Sequence, residues 1–226
     1  MATRQIVAIG GGRFCDDLAD FIVGLASRRP ARLLYIGTAS AEDPAGALRM
    51  YDRFLGRAEV RRLEFFPWPP DDLEGRVLEQ DVVFVGGGNP ANMLAIWRVH
   101  GVDELLRRAW EQGVVLSGSS AGGICWFDCG VTDSFGPGLV PYDFLGFLGG
   151  SFCPHYDDEE LRRPRYHELV RDGSLPAGYA ADAGVGLHFV GDELRDVVAC
   201  VEETRAYRVE LADGEVRETP LEARVL

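Results

Sequence analysis

A series of short apolar runs, each followed by a stretch with helical spacing, constrains the fold of this chain more than any other feature. The runs are Gln5–Ile9, Arg32–Gly37, Val60–Phe66, Asp81–Val85 and Val114–Leu116. Strands that are apolar on both faces are typical of a parallel sheet covered by helices on both sides. Right-handed crossovers place the loops after such strands at one edge of the sheet. The sequence therefore predicts an α/β fold with a mainly parallel sheet.

The second half of the chain shows a different pattern. Residues 128–150 are rich in Gly and Pro and predict loops with short strands, and a helix is predicted over 158–171. The last 45 residues predict β-strands at 186–190, 197–202 and 206–211, followed by a hairpin at Ala212-Asp213-Gly214. Since no linker or repeat divides the 226 residues, we expect one domain, residues 1–226.

The charged residues exclude several classes of function. The net charge of −13 argues against a nucleic-acid partner, because phosphate binding needs a basic surface. All 23 basic residues are arginine, which excludes a Ser–Lys dyad, a lysine Schiff base and a P-loop lysine. An activated serine in this chain must therefore depend on histidine. We expect no metal and no organic cofactor.

The cysteines and the hydropathy indicate the cellular compartment in which the protein is expected. The five cysteines are irregularly spaced, and Cys125 and Cys129, four residues apart, do not by themselves make a zinc site. No apolar run approaches the length of a membrane span, and the apolar run near the N-terminus is too short for a signal peptide. These features predict a reduced, cytoplasmic protein with no membrane partner.

The segment Gly118-Ser119-Ser120-Ala121-Gly122 is the strongest catalytic candidate. It follows a predicted strand, precedes helix-compatible residues and matches G-x-S-x-G, the pattern of a nucleophile elbow. Ser120 occupies the middle of the pattern, and Ser119 does not. The alternative interpretation is a flexible loop of small residues.

A nucleophilic serine needs a base, and the chain has four histidines. His155 follows the strand-like run GSFCP and precedes the acidic run YDDEE, so it lies where strand-end loops converge, and we select it as the base. The other three have structural interpretations: His100 as a helix C-cap, His167 as a surface residue and His188 as a packed strand residue.

Two glycine runs follow predicted strands. Residues 86–89, Gly-Gly-Gly-Asn, are suited to a second oxyanion donor, because glycine lets the backbone approach a substrate closely. A tight strand-to-helix turn is the alternative. Residues 10–12 do not complete G-x-G-x-x-G, since Cys15 occupies the last position, and we interpret them as a turn beside the site.

Together these segments resemble the peptidase E family of serine peptidases, the α-aspartyl dipeptidases, to which cyanophycinase is related. The matching segments are VGGGN (85–89), GSSAG (118–122), CPHYD (153–157) and RRPRYHELV (162–170). The resemblance implies a three-layer α/β sandwich similar to class I glutamine amidotransferases, here with extra C-terminal β-strands. It also implies cleavage of short peptides, with an N-terminal Asp, through an acyl-enzyme.

The resemblance assigns roles to individual residues. Ser120 would be the nucleophile and His155 the base, and the amides of Gly88 and Ala121 would bind the oxyanion. The expected substrate-binding residues are Asn89, Arg162, Arg163 and Arg165. An arginine can hold an aspartate carboxylate with two hydrogen bonds, although these three could equally balance acidic neighbours on a solvated helix.

The third catalytic residue departs from the family pattern. The family's acid aligns with Ala183, with Asp182 one residue earlier, and Asp133 is a second candidate. Because of this departure, a catalytically impaired relative that binds peptides or other ligands is the alternative function. A cysteine nucleophile, as in glutamine amidotransferases, is a further alternative, although no cysteine occupies the middle of the elbow.

Overall fold

Two β-sheets form the frame of the chain in the computed structural model, which describes residues 2–226. The strands are β1 Gln5–Ile9, β2 Ala31–Ile36, β3 Ala58–Leu63, β4 Val82–Val85, β5 Val115–Ser119, β6 Phe127–Thr132, β7 Val140–Asp143, β8 Leu148–Cys153, β9 Gly178–Ala181, β10 Val185–Val190, β11 Glu193–Ala199, β12 Ala206–Ala212, β13 Glu215–Leu221 and β14 Arg224–Val225. The α-helices are α1 Asp16–Gly24, α2 Pro44–Phe54, α3 Leu73–Leu78, α4 Pro90–His100, α5 Val102–Glu111, α6 Ala121–Ile124 and α7 Arg162–Arg171. A 3₁₀ helix covers Thr38–Ser40.

The larger sheet has eight strands in the order β14-β11-β10-β1-β5-β4-β2-β3. The five strands from β1 to β3 in that order are mutually parallel, and β10 joins β1 antiparallel. The smaller sheet has the order β13-β12-β9-β8-β6-β7 and contains a parallel centre of β6, β8 and β9. The predicted α/β class with a mainly parallel sheet is confirmed.

Alternating side chains of the larger sheet enter two separate cores. On one face, Val7 and Ile9 of β1 pack in a cluster with side chains of α1 and α2. On the other face, Ile6 and Ala8 belong to a cluster that includes residues of α3 to α6 and of the smaller sheet. This arrangement is the predicted three-layer sandwich. Helix α7 covers the outer face of the smaller sheet through a third cluster that contains Tyr166 and Leu169.

The strand register brings three loops together. In the larger sheet Ser119 pairs with Ile9, and Gly118 pairs with Val85, so the loops after β1, β4 and β5 start side by side. The loop after β8 joins them from the smaller sheet, because the amide of His155 donates to the carbonyl of Gly10 over 2.7 Å. The loops that carry the candidate catalytic residues therefore meet at one edge.

The second half of the chain differs from the prediction in detail. The segment predicted as loops with short strands forms β6, β7 and β8, and the short helix α3 was not predicted. Pro141 is tolerated in β7 because β7 is an edge strand. The helix predicted from residue 158 begins at Arg162, and the strand predicted over 197–202 lies at Glu193–Ala199. The hairpin at Ala212-Asp213-Gly214 is confirmed by the antiparallel pairing of β12 with β13.

The cysteines differ from the expectation of a fully reduced chain. Cys15 and Cys200, 185 positions apart, form a disulfide, so that expectation is wrong for this pair. Cys125, Cys129 and Cys153 are free and buried. Burial raises the pKa of the Cys129 thiol to about 11 and that of Cys153 to about 12, which disfavours a thiolate nucleophile. Within residues 2–226, no helix combines the length and the apolar character that a membrane crossing requires.

Candidate active site

Ser120 lies on a sharp turn between β5 and α6. Its backbone has φ 57° and ψ −112°, a left-handed φ that is uncommon for a residue with a side chain. The Ser120 amide donates to the carbonyl of Ile9 over 3.0 Å, which fixes the turn against β1. A Cβ on Gly122 would lie 2.1 Å from the Val85 carbonyl oxygen, so the turn needs glycine there. The strand–turn–helix arrangement predicted for G-x-S-x-G is present.

The Ser120 hydroxyl contacts His155. The distance from Ser120 Oγ to His155 Nε2 is 2.8 Å, within the range for a nucleophile and its general base. His155 also has a left-handed φ, 56°. A Cβ on Gly11 would lie 2.5 Å from His155 Nε2, so the glycine loop after β1 leaves the space that the imidazole fills. This loop is therefore a turn beside the site, as the sequence predicted.

The opposite nitrogen of His155 faces a carboxylate that sequence reasoning did not select. His155 Nδ1 lies 3.2 Å from Asp158 Oδ1 and 3.8 Å from Glu159 Oε1. A carboxylate on Nδ1 favours the tautomer in which Nε2 accepts a proton. The signal for Asp158 was the acidic run directly after His155. A helix predicted from residue 158 would have directed the side chains of this run away from a fixed contact with His155.

The two acids that the sequence did select have partners other than the imidazole. The Asp182 carboxylate accepts a hydrogen bond from the Arg205 amide over 2.8 Å, and burial raises the pKa of Asp182 to about 6. Asp133 lies 3.6 Å from Arg162. Within residues 2–226, neither carboxylate forms a hydrogen bond with His155.

A cavity of about 160 Å³ adjoins Ser120 and His155, and we call it the acyl cavity. Gly88 and Ala121 line it, and neither of their amides donates a hydrogen bond to another group in residues 2–226. Both amides are therefore free to bind an oxyanion that forms beside Ser120.

Arg162 is the one predicted arginine that lines the acyl cavity. It is 4% exposed and donates through Nη1 to the Val131 carbonyl over 3.2 Å. Its Nε donates to Glu159, and both Glu159 and Asp133 also line the cavity. The cavity therefore contains one buried cation with two carboxylates around it.

The other predicted substrate-binding residues make structural contacts outside the acyl cavity. Arg163 pairs with Glu218 and lies over the ring of Tyr156. Arg165 donates to the Leu139 carbonyl and to Glu168. Asn89 caps α4 by accepting the Asn92 amide and donates to the Ser134 carbonyl. The structure brings together Ser120, His155, Gly88, Ala121 and Arg162, and places Arg163, Arg165 and Asn89 elsewhere.

The remaining histidines have partners of their own. His100 stacks on Phe65, and His188 hydrogen-bonds to Gln5. His167 is partly buried rather than fully exposed, and its Nε2 lies 2.9 Å from Glu218. Among the residues that the structure describes, no group of three or more His, Cys, Asp and Glu side chains could hold a metal ion.

The fold is similar to that of solved peptidase structures. A peptidase from an acI-B1 actinobacterium matches with a TM-score of 0.70 at 13% identity, over 98% of this chain and 95% of that one. A putative peptidase E protein from Listeria monocytogenes EGD-e matches with a TM-score of 0.65 at 16% identity, over 88% of this chain and 100% of that one. These likenesses support the predicted fold, similar to class I glutamine amidotransferases.

The sequence itself matches a protein named as a peptidase over nearly its full length. It is 45% identical to the uncharacterized peptidase YgaJ of Bacillus subtilis (strain 168) over 229 aligned residues, which cover 99% of both chains. The model of peptidase family S51 matches residues 6–197. The chain therefore belongs to peptidase family S51, and the predicted resemblance is confirmed at the level of the family.

Proposed function

We propose that this chain is a serine exopeptidase that removes an N-terminal aspartyl residue from short peptides. The observation that carries the proposal is the 2.8 Å contact between Ser120 Oγ and His155 Nε2, at the wall of a small cavity that contains a buried arginine.

In the proposed mechanism Ser120 Oγ attacks the scissile carbonyl while His155 Nε2 takes the hydroxyl proton. The amides of Gly88 and Ala121 stabilise the oxyanion, and Asp158 holds the imidazole and the positive charge that develops on it. His155 then gives the proton to the leaving amine, and the C–N bond breaks to leave an acyl-serine. Water attacks this ester with His155 as base again, and the serine is released.

The acyl cavity suits a single acidic residue. Its volume of about 160 Å³ is well below the roughly 300–1,000 Å³ of a pocket for a larger ligand. The guanidinium of Arg162 would bind the side-chain carboxylate of the substrate. Asp133 and Glu159 supply negative charge for its free α-ammonium group. A free amino terminus is therefore part of what the cavity would recognise.

Hydrolysis of Asp-Leu, Ala-Leu and a longer Asp peptide tests the proposal. We expect cleavage of Asp-Leu in preference to the other two peptides, with kcat lowered by several orders of magnitude in Ser120→Ala. Cleavage of Asp-Leu and Ala-Leu with equal kcat/KM would contradict the aspartyl specificity. Undiminished cleavage by Ser120→Ala would contradict the serine mechanism.

Arg162→Lys tests the specificity with the positive charge retained. The Arg162 guanidinium donates to Glu159 and Val131 through two nitrogens and leaves the third for the substrate. Lysine cannot reproduce this planar arrangement, so we expect KM to rise about tenfold or more for Asp-Leu, with little change for any residual cleavage of Ala-Leu. Arg165→Lys, outside the cavity, is the matched control. Equal effects of Arg162→Lys on both substrates would show that Arg162 does not determine the specificity for aspartate.

A further inference from the structure

We propose that a second cavity, of about 270 Å³, binds the residue that leaves, and that this residue has an apolar side chain and a free C-terminal carboxylate. We call it the leaving-residue cavity and define it by Phe14, Tyr35, Arg49, Met50, Phe84 and Gly87. The inference rests on the proposed function, because it assigns the other half of the same dipeptide substrate.

The leaving-residue cavity adjoins the reacting groups. Gly87 lines it, and a Cβ on Gly87 would lie 3.8 Å from Ser120 Oγ. Gly12 also lines it, directly after the glycine that contacts the Nε2 edge of His155. Since His155 Nε2 delivers the proton to the leaving amine, a residue released there borders this cavity.

The two cavities adjoin different groups of the candidate site. The amides of Gly88 and Ala121, which would hold the acyl oxygen, line the acyl cavity together with Arg162. The leaving-residue cavity shares none of those residues and is lined by Gly87 and Ser119 next to the nucleophile. A dipeptide attacked at its single amide bond would place one residue on each side.

One wall of the leaving-residue cavity is apolar. The rings of Phe14 and Phe84 lie with their centroids 5.0 Å apart, and Met50 also lines the wall. Aromatic rings and a flexible thioether accept aliphatic side chains of varied shape. The wall therefore suits an apolar side chain such as that of leucine.

The opposite wall carries two hydrogen-bond donors, the Arg49 guanidinium and the Tyr35 hydroxyl, close to Gly46. A Cβ placed on Gly46 would lie 3.6 Å from Arg49 Nη2, 3.8 Å from Tyr35 Oη and 3.3 Å from Asp43 Oδ2. Tyr35 is only 4% exposed, and burial raises its pKa, so its hydroxyl stays protonated and can donate. Arg49 donates no hydrogen bond to another group in residues 2–226.

Asp43 leaves the Arg49 guanidinium free to bind the substrate carboxylate. Its two carboxylate oxygens accept the amides of Ala45 and Gly46 at the start of α2, and its ion pair with Arg49 is long, 3.7 Å. An incoming carboxylate can therefore bind the guanidinium while Asp43 remains the helix cap.

The test compares Asp-Leu with Asp-leucinamide, which lacks the terminal carboxylate. For Arg49→Gln we expect KM to rise about tenfold with Asp-Leu, as for loss of one charge-assisted contact, and to change less than twofold with Asp-leucinamide. Arg98→Gln, an exposed arginine on α4, removes the same charge and should leave both KM values unchanged. Equal changes with both substrates, or no change with Asp-Leu, would overturn the assignment.

A titration separates this inference from the proposed catalytic activity. Leucine, added to wild-type protein and followed by NMR, should perturb methyl signals of Met50 more strongly than leucinamide does, and Arg49→Gln should remove the difference. Absence of leucine binding, or equal binding of leucinamide, would contradict the inference whether or not the protein cleaves peptides. Absence of hydrolysis together with carboxylate-dependent leucine binding would contradict only the proposed function.

Discussion

Asp158 is the acidic side chain that is best placed to orient the imidazole of His155. It lies 3.2 Å from Nδ1, and its side chain is 42% exposed. A partly exposed carboxylate orients an imidazole less strongly than a fully buried one, because water competes for both partners. In the proposed mechanism Asp158 therefore positions His155, while Ser120 and His155 act on the substrate.

The first prediction compares Asp158→Asn with Asp182→Asn. Asparagine at 158 can present its NH₂ group to Nδ1 and favour the wrong tautomer, so we expect kcat to fall about 100-fold, short of the roughly 10⁴-fold known for a buried acid. Asp182 does not hydrogen-bond to His155, so Asp182→Asn should leave kcat within about twofold. Steady-state kinetics with Asp-Leu decides between them, and the reverse ranking would assign the orienting role to Asp182. Restored activity in Asp158→Glu would argue for orientation by a carboxylate.

The second prediction concerns Asp182 and pH. Burial raises its pKa to about 6, above the roughly 3.9 of an unfolded chain. The folded state therefore binds the proton more tightly, and the charge lowers stability increasingly as pH rises from about 4 to 6. Asp182→Asn keeps an oxygen acceptor for the Arg205 amide without this charge. It should raise the free energy of unfolding by about 1–3 kcal/mol at pH 8 and have little effect at pH 4.

Urea denaturation at the two pH values measures this difference. Asp192→Asn is the control, since the Asp192 side chain is 71% exposed, and its effect should be small at both. A stabilisation by Asp182→Asn that is the same at pH 4 and pH 8 would show that ionisation of Asp182 is not its cause.

At the scale of elements, the glycine loop after β1 holds His155, the proposed base. The carbonyl of Gly10 accepts the His155 amide over 2.7 Å, and the carbonyl of Gly11 accepts the Gly184 amide over 2.9 Å. The loop thus connects the turn after β8 to the turn before β10. A change in this loop should act on His155 and leave the substrate cavities largely intact.

The third prediction tests that connection with Gly11→Ala. Gly11 has φ 102°, and a Cβ there would lie 2.4 Å from His155 Cε1, so alanine must displace the ring from Ser120. We expect kcat to fall at least tenfold with KM little changed. Gly24→Ala, at a position with no atom within 4 Å of the added Cβ, should be active. Full activity of Gly11→Ala would show that the loop tolerates the methyl group without moving His155.

Several elements could be predicted from the sequence because local pattern and tertiary environment agree. The run Gln5–Ile9 is apolar throughout and forms a central strand with the predicted bounds. Ser120 could be located because a tight strand-to-helix turn imposes small residues around it. The strands of residues 128–150 are less evident, because Gly and Pro occupy them and their pairing depends on distant partners.

The contact of Asp158 with His155 could not be derived from spacing alone. It depends on the left-handed φ of His155 and on the turn that precedes α7. Both are consequences of the docking of this loop against Gly10 and Ala181. Asp182, in contrast, follows β9 and is directed to Arg205 before β12. An alignment position identifies a candidate acid, but the loop conformation decides which carboxylate reaches the imidazole.

At the scale of the whole molecule, the candidate site is assembled from distant parts of the chain. Ser120 follows β5 of the larger sheet, and His155 follows β8 of the smaller sheet. The disulfide between Cys15 and Cys200 lies close to this junction, because Cys15 ends the glycine loop and the Cys200 amide donates to the Gly184 carbonyl over 3.1 Å. The covalent bond therefore joins the two backbone segments that support the loop around His155.

The last prediction concerns this disulfide. A bond between residues 185 positions apart restricts the unfolded chain strongly, and loss of a native disulfide typically costs about 2–5 kcal/mol. For a chain of 226 residues each kcal/mol corresponds to roughly 2–4 °C, so reduction should lower Tm by on the order of 10 °C. The doubly substituted variant Cys15→Ser, Cys200→Ser should melt near the reduced wild type and not respond to dithiothreitol. Melting curves with and without dithiothreitol test this, and a wild-type Tm unaffected by reductant would show that the bond adds nothing to the stability of the fold.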